Sequence, residues 1–458
     1  MNTLSRRRFL KTISQFSVFS FFAPTILRAS ALNERIQVGF IGIGPMGRNN
    51  CRNFAAVSDL VALCDLDKRY GLTPALKDKQ INVRKMDTYS DYRRILDRND
   101  INLVGIATPD HWHIKIAVEA LMAGKHVFCE KPLTLTVEEG TLIRNACKKY
   151  DRVFQVGTMQ RSSKRFQTAV LIVRKGFLGQ IKRVVCHIDG APSSPPIPAC
   201  PVPPTLDWNL WQGQAPVTEY IATEDILPNF GCPKNTRGHH EFRWFFDYAG
   251  GKFTDWGAHH VDIALWALQQ DSQGQGAVKL NPVIAEHPIP LKDGMPTVKN
   301  RYQTASKFQI NCTLPDGTVI EIVSHSPYKN GIFFEGTKGT MHVSRGQIKG
   351  DVFENDKVQE SFTEEDYRSL YKGKKMENDN DMLAHKLNMI RCIKEGGLPV
   401  SDVYSHVQEI NLCHTACIAA RLGRELAWNP QTERFVNDEQ ANTFLAREQR
   451  KGFEIPRC

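Results

Sequence analysis

Residues 36–47, IQVGFIGIGPMG, constrain this chain more than any other stretch. An apolar, β-branched-rich run from Ile36 to Ile41 passes directly into Gly42, Gly44 and Gly47, spaced G-x-G-x-x-G. That order predicts a buried strand, a tight turn and a helix, the arrangement that binds a dinucleotide. Gly42 permits the turn, Gly44 lets a pyrophosphate approach the backbone, and Gly47 lets the helix pack on the strand. Pro45 and Met46 fill the positions between, where the helix dipole faces the phosphates. A second strand-like run, residues 60–64, ends in Asp65, 18 residues after Gly47. That is the distance expected for a carboxylate on the ribose hydroxyls. Asp65 favours NAD, because a carboxylate repels a 2′-phosphate, while Arg69 leaves NADP open.

The first 31 residues stand apart from the fold. Ser5-Arg6-Arg7-Arg8-Phe9-Leu10-Lys11 precedes an apolar run over residues 13–27 and then Ala29-Ser30-Ala31, a small-x-small cleavage pattern. The segment resembles a twin-arginine export signal, which carries folded proteins to the periplasm, and its apolar run is short for a membrane span. It holds five basic residues and no acids, so its removal lowers the formal charge from +10 to +5. What remains shows no aromatic–basic interleaving of the kind that binds nucleic acid. The 458 residues suffice for two domains, and 41% hydrophobic with 24% charged residues is an ordinary globular composition. None of the 12 cysteines forms a C-x-x-C pair. An exported protein that folds first in a reducing cytoplasm gives no reason to expect a disulfide framework.

Along the first half, residues 89–97 read as a helix. Residues 102–107, NLVGIA, read as a buried strand that delivers Thr108-Pro109-Asp110. An amphipathic helix follows on Ile114, Ala117, Val118, Leu121 and Met122, closed by Gly124. Residues 126–129, HVFC, form a further strand that delivers Glu130-Lys131-Pro132. A lysine at a strand end beside one carboxylate suits an acid/base or hydrogen-bonding role. His111 and His113 have metal-like H-x-H spacing, but they open a helix with no acidic or cysteine partner nearby, and no metal is expected.

The motifs GFIGIGPMG, ATPDHWH and AGKHVFCEKPLT together resemble the Gfo/Idh/MocA oxidoreductase family, which includes glucose–fructose oxidoreductase and inositol dehydrogenase. The resemblance runs, with gaps, from about residue 34 to the C-terminus. It implies a Rossmann domain over residues 32–156 and a substrate-binding α+β domain over 157–458 with a large, mostly antiparallel sheet. That domain's exposed face would make dimers or tetramers. It also implies roles. Lys131 lies beside the nicotinamide and bonds the reacting hydroxyl, Glu130 orients it, and Pro132 is cis. Thr108, Pro109 and His113 line the cofactor side, with Gln160 and Arg161 near cofactor or substrate.

In the second half, residues 191–204 hold seven prolines and read as a stiff loop. Trp208 and Trp211 follow it as packing or stacking groups. The second chemical centre is Arg243-Trp244 followed, after Gly250-Gly251, by residues 255–268, DWGAHHVDIALWAL. On a helix Asp255, His259 and Asp262 share one face. By the resemblance His259 is the general base and Asp255 orients substrate. His260, about 100° away on a helix, ranks second. Strands are expected over 305–314 and 318–325 with a hairpin at Pro315-Asp316-Gly317, and over 331–336 and 340–343. Helices are expected over 385–424 and 437–450.

These features point to a periplasmic, NAD-dependent oxidoreductase acting on a sugar or cyclitol. Without an obvious periplasmic supply of NAD, the cofactor would be carried through export and held tightly. The alternative is a glycosidase that uses NAD transiently, oxidising a ring hydroxyl, eliminating the aglycone and reducing again, with an extra base such as His240 or Tyr220. A non-catalytic sugar or nucleotide sensor is disfavoured by the pairing of Lys131 with His259.

Overall fold

Four apolar runs that each end in a chemically active residue become parallel neighbours. In the computed structural model, which describes residues 35–458 apart from 82–85, 229, 270–275, 354–357 and 359–360, they belong to one six-stranded sheet. Its strands are β1 (Gln37–Ile41), β2 (Asp59–Cys64), β3 (Asp87–Tyr89), β4 (Leu103–Ile106), β5 (His126–Cys129) and β6 (Phe154–Val156), in the order β3-β2-β1-β4-β5-β6. All neighbours are parallel. Helices cover both faces, so the central strands read as continuous apolar runs rather than alternating ones. The order reverses between β1 and β4, and ligands of such sheets bind at the carboxyl ends beside that reversal. Gly42, Asp65, Thr108 and Glu130-Lys131 all emerge there.

Helix α1 (Pro45–Val57), α2 (His113–Met122) and α3 (Val137–Tyr150) are the principal helices of this half. Its two cores are closed from far along the chain. Val403, Val407 and Ile455 join one core, and Met389 and Ile390 join the other.

The second sheet has nine strands in the order β15-β14-β13-β7-β12-β11-β8-β16-β17. They are β7 (Ile181–His187), β8 (Val278–Glu286), β11 (Lys307–Thr313), β12 (Val319–Val323), β13 (Gly331–Gly336), β14 (Gly339–Val343), β15 (Ile348–Lys349), β16 (Leu426–Asn429) and β17 (Arg434–Phe435). A separate two-stranded ribbon pairs β9 (Leu291–Lys292) with β10 (Met295–Pro296). Only β7 and β12 run parallel in the large sheet. The fold class is therefore α/β, with a parallel Rossmann sheet and a mostly antiparallel second sheet. One face of the second sheet packs on α4 (Lys164–Arg174), α5 (Gly257–Ala267) and α7 (Val403–Leu422), while α6 (Asp381–Glu395) reaches across to α1.

Three expected helices differ. Residues 89–97 give only one turn, Arg93–Leu96, because Tyr89 ends β3 and the Asp91 side chain accepts from the Arg93 N–H, starting the helix late. The span 385–424 is two helices, parted where Gly396 and Gly397 adopt positive φ before Pro399. At the C-terminus only Glu439–Asn442 and a following 3₁₀ turn are helical. Beyond them Arg447 and Arg450 bind carbonyls of Asp247, Gly213 and Asn209 instead. The signal-like residues 1–31 lie outside the described residues. Among the described residues no helix is long and apolar enough to cross a membrane.

Within the first sheet, Gly105 on β4 makes room for the ring of Phe40, since an added Cβ would sit 2.2 Å from its Cε2. Gly105→Ala is expected to destabilise the protein by about 1–3 kcal/mol through overpacking, read as a lower urea midpoint at unchanged slope.

Candidate active site

A cavity of about 450 Å³ runs along the carboxyl edge of the first sheet. It is walled by Gly42, Gly44, Pro45, Met46, Gly47 and Asp65 together with Thr108, Pro109, Glu130 and Lys131. The local backbone suits a dinucleotide. Gly42 has φ +83°, and an added Cβ would lie 2.6 Å from the Ala107 carbonyl. At Gly47 a Cβ would lie 2.0 Å from the Gly42 oxygen. At Gly44 a Cβ would find nothing nearer than a Tyr70 ring carbon at 3.5 Å, so this backbone faces open space. Helix α1 starts without a side-chain cap and without an acid in its first turn, which leaves its N-terminal N–H groups for an anion. The buried Thr108 hydroxyl has no hydrogen-bond partner among the described residues. These groups fit NAD.

Asp65 lines the cavity and also holds backbone. Its Oδ2 accepts from the Ile43 N–H (2.6 Å) and its Oδ1 from the Asp67 N–H (2.9 Å), tying the glycine turn to the end of β2. Burial pushes its pKa up to about 6 against these two hydrogen bonds. Asp67 also lines the cavity, whereas Arg69 is exposed and does not.

At the inner end two halves of the chain meet. The Lys131 ammonium donates to Asp255 Oδ1 (2.5 Å) and to the Asp255 carbonyl (3.2 Å). Arg243 Nη1 donates to Asp255 Oδ2 (3.3 Å). Burial alone would raise the Asp255 pKa, but the charges of Lys131 and Arg243 override it and hold the carboxyl far below its usual range. Glu130 accepts from the Asn50 amide of α1 (2.8 Å) and from the Lys131 N–H (3.3 Å), and the Lys131–Pro132 peptide bond is cis. Asp110 lines the same wall. Burial, helped by Asp255, pushes its pKa up to about 7 although Arg243 and Lys131 oppose the shift.

Family models cover both halves. Residues 36–158 match the Gfo/Idh/MocA "Oxidoreductase family, NAD-binding Rossmann fold", and residues 194–455 match its "C-terminal alpha/beta domain". The chain belongs to the Gfo/Idh/MocA oxidoreductase family. Among curated relatives, a glycosyl hydrolase family 109 protein of Shewanella sp. (strain W3-18-1) is 31% identical over 172 residues, 36% of each chain. Inositol 2-dehydrogenase of Salmonella paratyphi B is 34% identical over 149 residues, 32% of this chain and 43% of the relative. The chain thus spans 36% and 43% of the length of these two relatives. Among solved structures, aldose-aldose oxidoreductase from Caulobacter crescentus complexed with glycerol superposes with TM-score 0.58 at 18% identity, over 86% of this chain and 99% of that one. Levoglucosan dehydrogenase in complex with NADH gives 0.55 at 18% identity, over 85% and 98%. At these identities the likeness establishes a shared fold.

Not every residue that the Gfo/Idh/MocA resemblance placed at the cleft lines the cavity. His113 is buried beside it, with Nδ1 2.7 Å from the Pro132 carbonyl and Nε2 2.9 Å from that of Thr108. It braces the loops that carry Thr108 and Lys131, and burial lowers its pKa to about 4. Trp244 is buried with its N–H on Glu241 (3.0 Å). Gln160 is buried between the His259 carbonyl and Arg345. Arg161 is committed to the core, where its guanidinium grips Asp262, with 1% and 0% side-chain exposure. Asp262, His406 and Glu409 are spaced for a metal ion, yet Arg161 already neutralises Asp262. The base candidate His259 is 4% exposed, off the cavity wall and edge-on to Trp256. Its Nδ1 has no hydrogen-bond partner among the described residues. His260 is tied to Asn330 (2.9 Å).

Three features lay beyond the sequence reading. Asp110 was visible only as part of a strand-end loop. Leu206, Leu210, Phe230, His239 and Phe242 come from the second half and join Trp211 in lining the cavity. Asp67 meets His239 Nε2 (2.9 Å), with the Lys68 N–H on the Thr205 carbonyl (3.4 Å). The Arg161 placement has a direct test: Arg161→Met leaves Asp262 buried without its guanidinium, facing only His406. It is expected to cost about 3–5 kcal/mol in denaturant stability, and a normal unfolding midpoint would count against this placement.

Proposed function

We propose that this chain is an exported NAD-dependent oxidoreductase that oxidises a hydroxyl of a sugar, glycoside or cyclitol. The observation that carries the reading is the Lys131–Asp255–Arg243 junction at the inner end of a glycine-turn groove. Bound NAD would accept the hydride from the carbinol carbon. Asp255, kept anionic by two cations, fixes the Lys131 ammonium at the place where the reacting hydroxyl would lie. His259 is the proposed base. Burial, with the Lys131 charge adding to it, holds its pKa well below the ordinary histidine value, so the ring is neutral and, where it stands behind the cavity wall, a weak base; the assignment rests on the family resemblance. Arg243 and Asp255 orient the substrate. Asp65 and Asp67 at the ribose end, with Arg69 outside the cavity wall, favour NAD over NADP.

The groove cover supports a resident cofactor. Leu206, Leu210, Trp211, Phe230, His239 and Phe242 wall the cavity from the second half, and the Asp67–His239 contact fastens this wall to the β2 loop. The twin-arginine-like segment supports export with NAD already bound. The face of the nine-stranded sheet turned away from the helices is proposed to pair protomers. A second reading, a glycosidase that oxidises and re-reduces its substrate, is favoured by Asp110. A wall carboxyl titrating near neutrality could move the proton next to the new carbonyl. Relatives named glycosyl hydrolase family 109 protein and, in Shewanella oneidensis, alpha-N-acetylgalactosaminidase add weight to it.

Lys131→Met is expected to lower hydride transfer by at least about a hundredfold, the scale of lost acid/base assistance, while NAD stays bound. The measure is the 340 nm band of the dialysed protein on adding glycosides and free sugars, and near-normal reduction would refute the assigned role. In the wild type a lasting band marks a dehydrogenase, whereas a band that decays as aglycone appears marks the glycosidase. His239→Ala is expected to speed NAD release about tenfold, read by trapping the freed cofactor with an auxiliary dehydrogenase. An unchanged release rate would show that the wall fastened by His239 does not retain the cofactor.

A further inference from the structure

The wall that the second half gives to the cavity carries an acid/base pair that the proposed hydride step does not use. The short 3₁₀ helix His239–Trp244 brings His240 to the cavity. His240 Nδ1 lies 2.5 Å from Glu241 Oε1, and the Phe230 ring stacks on the imidazole at 3.9 Å between centres. Glu241 is buried, and its Oε2 accepts from the Tyr302 hydroxyl (2.6 Å) and from Trp244 Nε1 (3.0 Å). Burial alone would raise the Glu241 pKa, but the hydrogen bonds from His240 and Tyr302 override it and hold the carboxyl below its usual range. A carboxylate only accepts, so in the neutral ring Nδ1 carries the proton and Nε2 the lone pair. The His240 side chain keeps 23% exposure, and among the described residues its Nε2 has no hydrogen-bond partner.

The pair is tied to the Lys131–Asp255 junction. Arg243 Nε donates to the His240 carbonyl (2.8 Å), while Arg243 Nη1 donates to Asp255, the partner of Lys131. Oxidation of an alcohol needs one base, and Lys131 and His259 are assigned that step. A second imidazole, oriented by its own carboxylate, has work only where a second proton moves. The new carbonyl provides one, because it acidifies the C–H bonds on the carbons beside it. We propose that His240, held by Glu241, removes the proton from a carbon adjacent to the newly formed carbonyl, so that the enzyme exchanges that hydrogen as well as transferring hydride. The C–H electron pair becomes the C=C bond of an enolate, the carbonyl π pair moves onto oxygen beside the Lys131 ammonium, and the proton goes to His240 Nε2. Its return to the same carbon gives exchange with solvent. Where the next carbon carries an oxygen substituent, the carbonyl re-forms, a C=C bond forms to that carbon, its C–O bond breaks and the leaving oxygen takes the proton from His240. This rests on the sugar-oxidoreductase reading and adds a second activity to it. Asp110, from the first half, is the rival for the same proton; His240 is favoured by its fixed orientation and its unshared nitrogen.

The test uses methyl ketoglucosides oxidised at C2, C3 or C4. Each is mixed with the NAD-loaded enzyme in heavy water, and loss of the proton signals beside the carbonyl is followed by NMR. The same ketones are given to the NADH-loaded enzyme, where fading of the 340 nm band reads hydride transfer by itself. For a ketone that discharges the band, exchange should exceed the buffer rate by at least about a hundredfold. His240→Gln should lower the ratio of exchange to hydride transfer by about a hundredfold. Glu241→Gln keeps an oxygen for Nδ1 but removes the charge, and should lower that ratio about tenfold. No exchange above the buffer rate on such a ketone, or exchange kept in His240→Gln and lost in Asp110→Asn, would overturn the proposal. Exchange that depends on His240 for ketones that never discharge the band would support the dyad and count instead against the oxidoreductase reading. Ketones that neither exchange nor discharge the band would overturn both.

Discussion

The contact between Lys131 and Asp255 is the point on which the architecture turns. The lysine leaves the carboxyl end of β5, the aspartate ends a one-turn helix 124 residues later, and each is largely shielded from water. Removing either partner would strand the other's charge, which is far more costly than the pair itself is stabilising. The second sheet must therefore dock where its helical turn can reach the first. Arg243 completes the arrangement by matching the other carboxylate oxygen, and Glu130, held by Asn50 of α1, fixes the strand end from behind. A single ion pair thus couples interdomain docking to the placement of the Lys131 ammonium at the cavity wall.

Around that junction the two halves interlock rather than merely abut. The first sheet lends its carboxyl edge to the cavity, and the second half returns a cover of aromatic and apolar residues together with His239. In exchange, helices α6 and α7 supply Met389, Ile390, Val403 and Val407 to the cores of the first sheet. The cavity is accordingly a property of the whole chain, and residues on its wall are separated by more than a hundred positions.

Much of this was legible in sequence. The parallel sheet, its glycine turn and the strand ends bearing Asp65, Thr108 and Lys131 follow from apolar runs punctuated by Gly and Pro, where local pattern and final burial agree. Hairpin and strand positions in the second sheet were equally plain, because Pro315-Asp316-Gly317 fixes a turn whatever surrounds it. Legibility failed where partners are distant. The family resemblance puts Arg161 near cofactor or substrate, and only the fold shows Asp262 claiming it. The same holds for His239, whose partner Asp67 lies 172 residues away, and for Asp110, whose altered proton affinity arises from burial that no local pattern encodes. The long helical reading over 385–424 failed for a local reason, two adjacent glycines and a proline whose weight a periodic apolar stripe masked.

The interlocking has a consequence in time. Thr158 at the end of the first sheet bonds Ser401, 243 residues later, and the cores beside it stay open until that segment exists. At about 5–20 residues per second, translation delivers the closing helices on the order of ten seconds or more after β6. During that interval the nascent Rossmann sheet has exposed apolar flanks and an unfinished groove. The core beneath the groove is therefore completed only once α7 has been made, and a chain shortened before α7 would present its glycine turn without that core.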